Sequence, residues 1–551
     1  MANKAQGCSL AMSSLSPFFP RAAGPIAASP CPALPLARYW AHPACAVALL
    51  TLAAGALRLY RIAAEPFWKN ELFSLAWIRQ PYGFLLGQGL LTETNPPLHF
   101  VLLKLWTGLF GTGEFAVRAP SALAATACIP LIYLLARRLA GDRADQRPGS
   151  GHRVGLVAAT LLTLAPAQIV YAQEGRAYAL LPLFLLLAML GLARFLQPGA
   201  RSPRTGLWLY AGAAVALLYS HGIALFMLAA LVLAVALLLA GEPAPRHRLR
   251  QFAWATAAVG LLALPQVAAM LAQARSANIE WIEPFGLDTL LIANRTVLIG
   301  PMVRNDLGAY PSHILLLCEM ALATLTTLLL IPAAFRCIAG GSGADRPARA
   351  LLIAFPLLFV ALVSMVSLAR PVLIPRVAIW LGVPVGLVGG FLFGRGHGWL
   401  CRATGLLLAA CIAVGLVNNV ILPAGHKPDW PALVRDNPAA SDAPLLVAAP
   451  HAGPLGLAFY GARDGSPAAV PRLWTVHPER PPTLAEALER RVTGAEPIDT
   501  ESLGTLIRGG RHVRLFFDED DLMLLSQSEA VLAGFGPMTR HDYSGLVVLS
   551  W

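Results

Sequence analysis

The sequence predicts a polytopic α-helical membrane protein with about 11 transmembrane helices, followed by a small C-terminal soluble α/β domain. Three observations predict this class. Of the 551 residues, 56% are hydrophobic and 13% are charged, whereas about 25% are charged in an ordinary soluble protein. Apolar runs close to the roughly 20 residues that cross a bilayer recur between Ala44 and Leu422. Beyond residue 423, short apolar runs such as Leu445 to Ala449 alternate with polar helical stretches such as Leu484 to Val492, as in small α/β domains.

The chain accordingly divides into a cytoplasmic N-terminal tail (1–40), a transmembrane domain (41–423) and a soluble domain (424–551). The tail is predicted to be disordered, because it is rich in Pro, Ala and Ser and lacks the continuous apolar core of a signal peptide. The net charge of +12 separates into +17 before residue 423 (31 Lys+Arg, 14 Asp+Glu) and −5 after it (11 and 16). The basic excess thus belongs to membrane loops, where it sets orientation, and nucleic acid is not an expected partner.

Apolar runs of the membrane part predict the individual transmembrane helices. They cover residues 44–60, 117–136, 154–171, 177–195, 206–220, 222–240, 252–272, 312–335, 350–368, 377–394 and 403–422. A further run, Pro96 to Phe110, is excluded because it reaches only about 22 Å at 1.5 Å per residue and contains His99 and Lys104. It is expected to lie along the membrane surface, as a helix capped by Asn95.

With this exclusion, the arginine-rich loops all fall on one side, which is predicted to be cytoplasmic. These arginines are Arg137, Arg138, Arg143, Arg147, Arg153, Arg201, Arg204, Arg246, Arg248, Arg250, Arg336, Arg346, Arg349, Arg395 and Arg402. The outer side carries residues 61–116, turns at 172–176, 220–222 and 369–376, a loop at 273–311 and the soluble domain. The spans themselves are expected to be nearly uncharged, unlike those of a transporter or flippase, so the chemistry is expected at the outer surface. A scaffold in an envelope-assembly complex stays open as a third class.

The first outer segment brings an aromatic ring, a cation, an amide and a carboxylate together at Trp68, Lys69, Asn70 and Glu71. A carboxylate in this position can deprotonate an acceptor hydroxyl. The alternative is an interfacial tryptophan beside a solvated ion pair. In the next outer turn, Glu174 and Arg176 either cap two helices as an ion pair or orient a substrate or a metal ion.

Two further outer turns carry a histidine and two arginines. His221 ends a span and is either a packed side chain or a ligand. Arg370 and Arg376 present guanidinium groups that suit a lipid phosphate. Interfacial anchoring of the helix ends is the alternative for both arginines.

In order and spacing, these segments resemble the GT-C membrane glycosyltransferases of the protein O-mannosyltransferase and aminoarabinose transferase type, including family-39-like members. Trp68-Lys69-Asn70-Glu71 is similar to the family's Trp-x-Asp-Glu, and Asn95-Pro96-Pro97-Leu98-His99-Phe100 to its Pro-Pro-Leu-Tyr segment. Glu114-Phe115-Ala116-Val117-Arg118-Ala119-Pro120 is similar to Glu-x-Ala-x-Arg-x-Pro, and Gln173-Glu174-Gly175-Arg176-Ala177-Tyr178 to Gln-Glu-Ala-Arg-x-Tyr. Arg376 stands in the position of the Pro-x-x-x-Arg-Tyr turn. The resemblance is strongest over residues 60–225.

The resemblance implies an inverting glycosyltransferase. It would take a sugar from a polyprenyl-phosphate donor to a glycan, lipid or protein acceptor on the outer face. The Ala, Arg, Leu and Pro usage is typical of a GC-rich Gram-negative genome, in which the outer face is the periplasmic face of the inner membrane. It implies a carboxylate that deprotonates the acceptor, and cations that hold the lipid phosphate. The residues expected to bind substrate are Trp68, His99, Glu174, Arg176, Tyr178, His221, Arg370 and Arg376.

One departure from the family concerns the catalytic base. Asn70 stands where the family has the Asp that serves as general base, and a neutral amide does not accept a proton at physiological pH. Either Glu71 serves as the base, or the chain binds lipid-linked sugar without transferring it. The sequence requires no cofactor, and a divalent metal with Glu71, Glu174 and His221 as ligands is an open alternative.

Overall fold

The computed structural model describes residues 43–93, 95–141, 150–197, 203–242, 245–273, 282–301, 313–339, 346–396, 398–422, 427–436, 444–449, 453–463, 471–475, 484–518 and 522–551. The predicted disordered tail at 1–40 lies outside the described residues, as do parts of the outer loop at 273–311.

Helices make up nearly all of the described membrane part. They are α1 Pro43–Leu59, α2 Lys69–Ile78, α3 Tyr82–Leu86, α4 Gln88–Thr92, α5 Leu98–Phe110, α6 Glu114–Ala140, α7 Ser150–Leu164, α8 Pro166–Val170, α9 Leu180–Leu196, α10 Pro203–Leu218, α11 Ala224–Ala240, α12 Arg246–Gln273, α13 Leu287–Leu298, α14 His313–Ala334, α15 Arg346–Ala369, α16 Gly382–Arg395 and α17 Trp399–Leu416. Short 3-10 or π turns join or extend them at Tyr171–Gln173, Ala177–Ala179, Phe335–Ala339, Pro375–Leu381 and Val417–Ile421.

Every predicted span coincides with a helix. Among the described residues, seven helices are long and apolar enough to cross a membrane, or eight if the bent pair Ser150–Leu164 and Pro166–Gln173 forms one span. That pair bends by 63°, because Pro166 has no N–H to continue the helical hydrogen bonding. Helices α1, α10 and α11 have only 17, 16 and 17 residues, so their crossing of the membrane stays a prediction.

The run excluded from the spans forms α5, which has 13 residues and is too short to cross a bilayer. Its start differs from the prediction, because Pro97 occupies the N-cap position. The Asn95 side-chain amide instead donates to Glu93 Oε1 at 2.6 Å. The Leu98 N–H donates to the carbonyl oxygen of Tyr219 at 3.0 Å, which holds the start of α5 against the outer turn that follows α10.

Described residues next to the predicted inner loops contact one another, as do described residues of the predicted outer segments. Next to the inner loops, Arg395 donates to the carbonyl oxygen of Ala140 at 2.8 Å and Arg248 to that of Phe195 at 2.7 Å. Several predicted outer segments meet around Glu71. The sequence therefore predicts which loops share a side, while the assignment of the outer side to the periplasm stays a prediction.

The expectation of nearly uncharged spans is wrong at three buried positions. Arg58 in α1 is fully buried and donates to backbone carbonyls of α1 and α7. Arg118 in α6 pairs with Glu71, and Glu319 in α14 pairs with Arg295. Buried charges persist where hydrogen bonds or an opposite charge satisfy them, and each of these side chains has such partners.

The C-terminal part forms a mixed sheet flanked by helices. Its elements are α18 Trp430–Arg435, β1 Leu445–Ala448, α19 Gly453–Arg463, β2 Arg472–Thr475, α20 Leu484–Thr493, β3 Pro497–Asp499, α21 Thr500–Arg508, β4 Val513–Asp518, α22 Leu522–Ala533, β5 Thr539–Tyr543 and β6 Leu546–Ser550. The strand order is β3-β2-β1-β4-β6-β5. Strands β1 to β4 run parallel, and β6 pairs antiparallel with both β4 and β5. The predicted α/β class of this part is confirmed.

This soluble part packs directly onto the first outer segment. A single apolar core contains Phe67 and Trp77 from that segment together with Trp430, Leu446 and Tyr460 from the soluble part. Helix α2 therefore lies between the membrane helices and the sheet. Its first turn carries Asn70 and Glu71.

Candidate active site

The site is built around the buried carboxylate of Glu71. This residue lies in the first turn of α2, where the helix dipole favours a negative charge, and its Oε2 accepts the Trp68 N–H at 3.3 Å. Arg118 donates from Nε to Oε1 at 2.7 Å and from Nη2 to Oε2 at 2.8 Å. Glu71 is 0% and Arg118 1% exposed, so the two form a buried bidentate ion pair.

Arg118 is held on its other side by the backbone. Its Nη1 and Nη2 groups donate to the carbonyl oxygens of Ile62 at 2.8 Å, Glu65 at 2.9 Å and Pro66 at 2.9 Å. Together with the two bonds to Glu71, these use all five donors of the guanidinium group. Arg118 thereby ties α6 to the segment that leads into α2.

Glu71 is held in its ionised form. Burial raises its pKa, but the charges of Lys427 and Arg118, the Arg118 hydrogen bonds and the Gly175 N–H outweigh burial and lower the pKa to about 2. Lys427 Nζ lies 3.3 Å from Oε2, and the Gly175 N–H donates to Oε1 at 2.9 Å. A carboxylate with so low a pKa is a weak base at physiological pH.

The turn at 172–176 packs against α2 and α6. Arg176 donates from Nη1 to the carbonyl oxygen of Asn70 at 3.2 Å and to Ser74 Oγ at 3.1 Å. The Ser121 hydroxyl donates to the Arg176 carbonyl oxygen at 3.0 Å. Arg176 is therefore bonded to α2, and within the described residues it forms no ion pair with Glu174.

Glu174 is the second carboxylate of the site, and its surroundings differ from those of Glu71. Its Oε2 is buried and has no hydrogen-bond partner among the described residues. Burial is the largest influence on its pKa, followed by the charges of Lys427, Glu71, Arg376 and Arg176. Burial and Glu71 outweigh the cations and raise the pKa of Glu174 to about 7. This carboxylate therefore exchanges a proton near neutral pH, as a general base or acid must.

Two histidines of the site are uncharged at neutral pH. His99 of α5 is buried, and its Nε2 lies 3.0 Å from the carbonyl oxygen of Gly175, to which a neutral ring donates its N–H. Burial, and then the charge of Arg176, lowers the pKa of both His99 and His221 to about 3. The ring of Tyr178 lies 5.8 Å from that of His221. Both histidines thus serve as neutral packing and hydrogen-bonding groups.

The turn after α15 contributes Arg376. Its Cζ lies 6.0 Å from the ring centroid of Trp68, within the range of a cation–π interaction. Its charge also acts on Glu174 and His221. Arg370 directly follows α15 at the start of the same turn, and its backbone N–H donates to the carbonyl oxygen of Val366 at 2.9 Å.

The suggested metal ligands Glu71, Glu174 and His221 do not form a metal-binding group within the part of the chain that the structure describes. Both oxygens of Glu71 already accept hydrogen bonds from Arg118, with Lys427 beside them. These neighbouring cations would oppose a metal ion. The residues present fit an anion better.

Two cations of the site, Arg118 and Lys427, are not among the residues that the sequence analysis expects to bind substrate or to act in catalysis. Arg118 has a recognisable signal, because an arginine inside an apolar span requires a partner. Lys427 has none, since it is 356 residues away from Glu71 in the chain and contacts at such separation leave no periodic pattern.

Comparisons with known proteins agree with the fold. Residues 94–271 match the family described as dolichyl-phosphate-mannose-protein mannosyltransferase. No curated protein matches the chain by sequence. The crystal structure of apo ArnT from Cupriavidus metallidurans matches with a TM-score of 0.56 at 13% identity, covering 94% of this chain and 98% of ArnT. ArnT bound to undecaprenyl phosphate matches with a TM-score of 0.53 at 13% identity, covering 92% and 97%.

At such low identity, the likeness to ArnT establishes the fold, and the family match covers the region that contains the Gln173 to Tyr178 motif. The fold and the family match both confirm the predicted resemblance to GT-C membrane glycosyltransferases. The chain is a polytopic membrane protein with an ArnT-like fold, similar to the GT-C membrane glycosyltransferases of the O-mannosyltransferase and aminoarabinose transferase type.

Proposed function

We propose that the chain is a membrane glycosyltransferase that moves a sugar from a polyprenyl-phosphate donor to a glycan, lipid or protein acceptor at the periplasmic face of the inner membrane. The observation that carries this proposal is the group of three cations around the start of α2. Lys427 lies 3.3 Å from Glu71 Oε2, Arg176 donates to the Asn70 carbonyl oxygen at 3.2 Å, and Arg376 lies 6.0 Å from the Trp68 ring. The family description and the undecaprenyl phosphate bound to ArnT support a lipid-phosphate donor. The arginine-rich opposite end of the helices supports the periplasmic position.

Cations of the site would hold the donor phosphate. During transfer, the bond between the anomeric carbon and the phosphate oxygen breaks, and its electron pair leaves with the polyprenyl phosphate. The leaving group therefore gains negative charge in the transition state. Fixed positive groups such as Arg176 and Arg376 stabilise that charge without reorganising.

Glu174 is the carboxylate that best suits the role of general base. The acceptor oxygen attacks the anomeric carbon opposite the leaving phosphate, which inverts the configuration, and its proton passes to Glu174. The pKa of about 7 makes Glu174 a stronger base than Glu71, whose pKa is about 2. Glu71 suits a positioning role, because it holds Gly175 and the start of α2. The Asn70 amide suits hydrogen bonding to the sugar or the acceptor.

A second candidate function follows from Asn70 itself. If no carboxylate replaces the family's Asp, the chain binds lipid-linked sugar without turnover, as an impaired relative or as an envelope-assembly scaffold. This alternative predicts donor binding without release of sugar.

The test is release of radiolabelled sugar from undecaprenyl-phosphate mannose and undecaprenyl-phosphate aminoarabinose by the purified full-length protein in detergent. Release from either donor, to an acceptor or to water, supports the transferase. Donor binding without release supports the impaired relative. Neither binding nor release contradicts both proposals.

A further inference from the structure

We infer that Lys427 binds the phosphate of the lipid-linked donor and that the soluble domain delivers it to the membrane site. The soluble domain then completes the site and does not merely adjoin it. This inference rests on the proposed function, because it requires a polyprenyl-phosphate ligand.

The backbone next to Lys427 is seated on the turn between β5 and β6. Gly545 in this turn has φ of +64°, and a Cβ there would lie 2.9 Å from Pro428 Cα and 3.3 Å from the Lys427 carbonyl carbon. The Asp429 N–H donates to the Ser544 carbonyl oxygen at 2.9 Å, and the Asp429 carboxylate caps α18. The sheet therefore determines where the chain leaves Lys427.

The same domain holds the segment that precedes α2. The Phe67 N–H donates to Tyr460 Oη at 2.7 Å, and the Phe67 carbonyl oxygen accepts from Trp430 Nε1 at 3.0 Å. Tyr460 donates in turn to Glu114 Oε1 at 3.0 Å, at the start of α6. Phe67 and Trp430 are both 0% exposed. These bonds dock the domain onto α6 and onto the segment that enters α2, the two elements that form the buried ion pair.

Lys427 is a second cation beside the one carboxylate of the buried pair, and its Nζ donates to Glu71 Oε2 at 3.3 Å. Glu71 and Arg118 already neutralise each other through two short hydrogen bonds. Arg176 adds another positive charge, and among the described residues its side chain donates to the neutral oxygens of Asn70 and Ser74. Of the two other carboxylates that act on this described group, Glu114 pairs with Arg463. The pKa of the other, Glu174, is about 7 and leaves it only partly ionised at neutral pH.

An excess of positive charge at the end of an apolar helix bundle fits an anion with an apolar tail. The Lys427 side chain is 17% exposed, unlike that of Glu71 at 0%, so part of this side chain is open to a ligand. A lipid phosphate and free inorganic phosphate share the chemistry that this group recognises. The membrane position of the site favours the lipid.

The first experiment measures binding of undecaprenyl phosphate to the full-length protein in detergent. Lys427→Met is expected to weaken binding at least about tenfold, since hydrogen bonds to charged groups contribute roughly 1.5–3 kcal/mol. Lys427→Arg keeps the charge and should retain most of the affinity, and Arg376→Ala serves as the weakened reference. A purely structural lysine would lower the unfolding temperature of Lys427→Met without changing its affinity.

The outcomes separate this inference from the proposed function. Unchanged affinity in Lys427→Met, with weaker binding in Arg376→Ala, would overturn the inference and leave the proposed function standing. Failure of the unaltered protein to bind undecaprenyl phosphate would contradict the proposed function itself. Inorganic phosphate that competes with an affinity equal to that of the lipid would overturn the assignment to a lipid ligand.

The second experiment tests delivery by the soluble domain with two matched glycine variants. Gly545→Ala places a Cβ against the backbone of Pro428, whereas Gly494→Ala introduces similar strain at φ of +75° with no atom within 4 Å. Gly545→Ala is expected to weaken undecaprenyl phosphate binding several-fold, and Gly494→Ala to leave it unchanged. Equal affinities in the two variants would overturn the delivery role.

Discussion

The two buried carboxylates of the candidate site have different surroundings, which lower the pKa of Glu71 and raise the pKa of Glu174. Both Glu71 oxygens bond Arg118, with Lys427 beside them, while Glu174 has a buried oxygen without a partner among the described residues. The sequence predicts that both glutamates belong to the site. It does not predict the difference between their surroundings, because that difference depends on residues distant in the chain. Arg118 is 47 and Lys427 356 residues from Glu71.

The pH dependence of transfer should report on Glu174. A general base acts in its ionised form, so the rate should fall as the pH drops below about 7, where Glu174 becomes protonated, and level off above it. The measurement is kcat/KM for labelled-sugar transfer between about pH 5 and pH 9. A flat profile across this range would argue against Glu174 as the base.

Breaking the buried ion pair should destabilise the protein. Glu71→Gln leaves the Arg118 charge buried without its partner, which typically costs about 3–5 kcal/mol of unfolding free energy. The matched control is Glu242→Gln, whose pair with Arg248 has side chains 18% and 25% exposed and should contribute less than about 1 kcal/mol. Thermal unfolding in detergent compares the two variants. Equal decreases in unfolding temperature would show that the Glu71–Arg118 pair does not stabilise the protein more than the partly exposed pair does.

Restoring the family's carboxylate at position 70 should be tolerated. Asn70 lies in the first turn of α2, where the helix dipole stabilises an acidic side chain, and its carbonyl oxygen already bonds Arg176. Asn70→Asp is therefore expected to keep or raise the transfer rate in the labelled-sugar assay. A rate well below that of the unaltered protein, at equal stability, would place residue 70 away from the reacting groups.

At the scale of elements, local sequence patterns predict the helices and strands whose formation depends on the residues within them. The length of an apolar run predicts each membrane helix, and short apolar runs predict β1, β4 and β6. Strand β5 reads Thr-Arg-His-Asp-Tyr and is largely exposed, so only its pairing with β6 makes it a strand. The prediction that Asn95 caps α5 is wrong, because the Asn95 side-chain amide donates to Glu93 Oε1.

Helices α9 and α10 cross closely through two glycines. A Cβ on Gly191 would lie 2.5 Å from the carbonyl oxygen of Gly206 and 2.6 Å from the backbone nitrogen of Tyr210. Gly191→Ala should therefore separate the helices and cost about 1–3 kcal/mol. Gly212→Ala, also in α10 but with no atom within 4 Å, should be neutral or stabilising, because alanine favours helix. Similar unfolding temperatures for the two variants would contradict this close crossing.

At the scale of the whole molecule, the membrane helices and the soluble part contact each other next to the candidate site. The sequence predicts both parts and a change of character near residue 423, because composition differs on the two sides of it. It does not predict that Lys427, just beyond residue 423, forms an ion pair with Glu71, or that the Phe67 N–H donates to the Tyr460 hydroxyl. Such contacts depend on how the two folded parts dock, and no local sequence pattern predicts that docking.

The central claim is that the chain transfers sugar from a lipid phosphate with Glu174 as the base. The most direct measurement is labelled-sugar release from undecaprenyl-phosphate donors by the unaltered protein and by Glu174→Gln, with undecaprenyl phosphate binding measured on the same preparations. The account predicts turnover in the unaltered protein, and donor binding with at least about 100-fold slower turnover in Glu174→Gln, the usual range for loss of a general base. Equal turnover in the two proteins would contradict it.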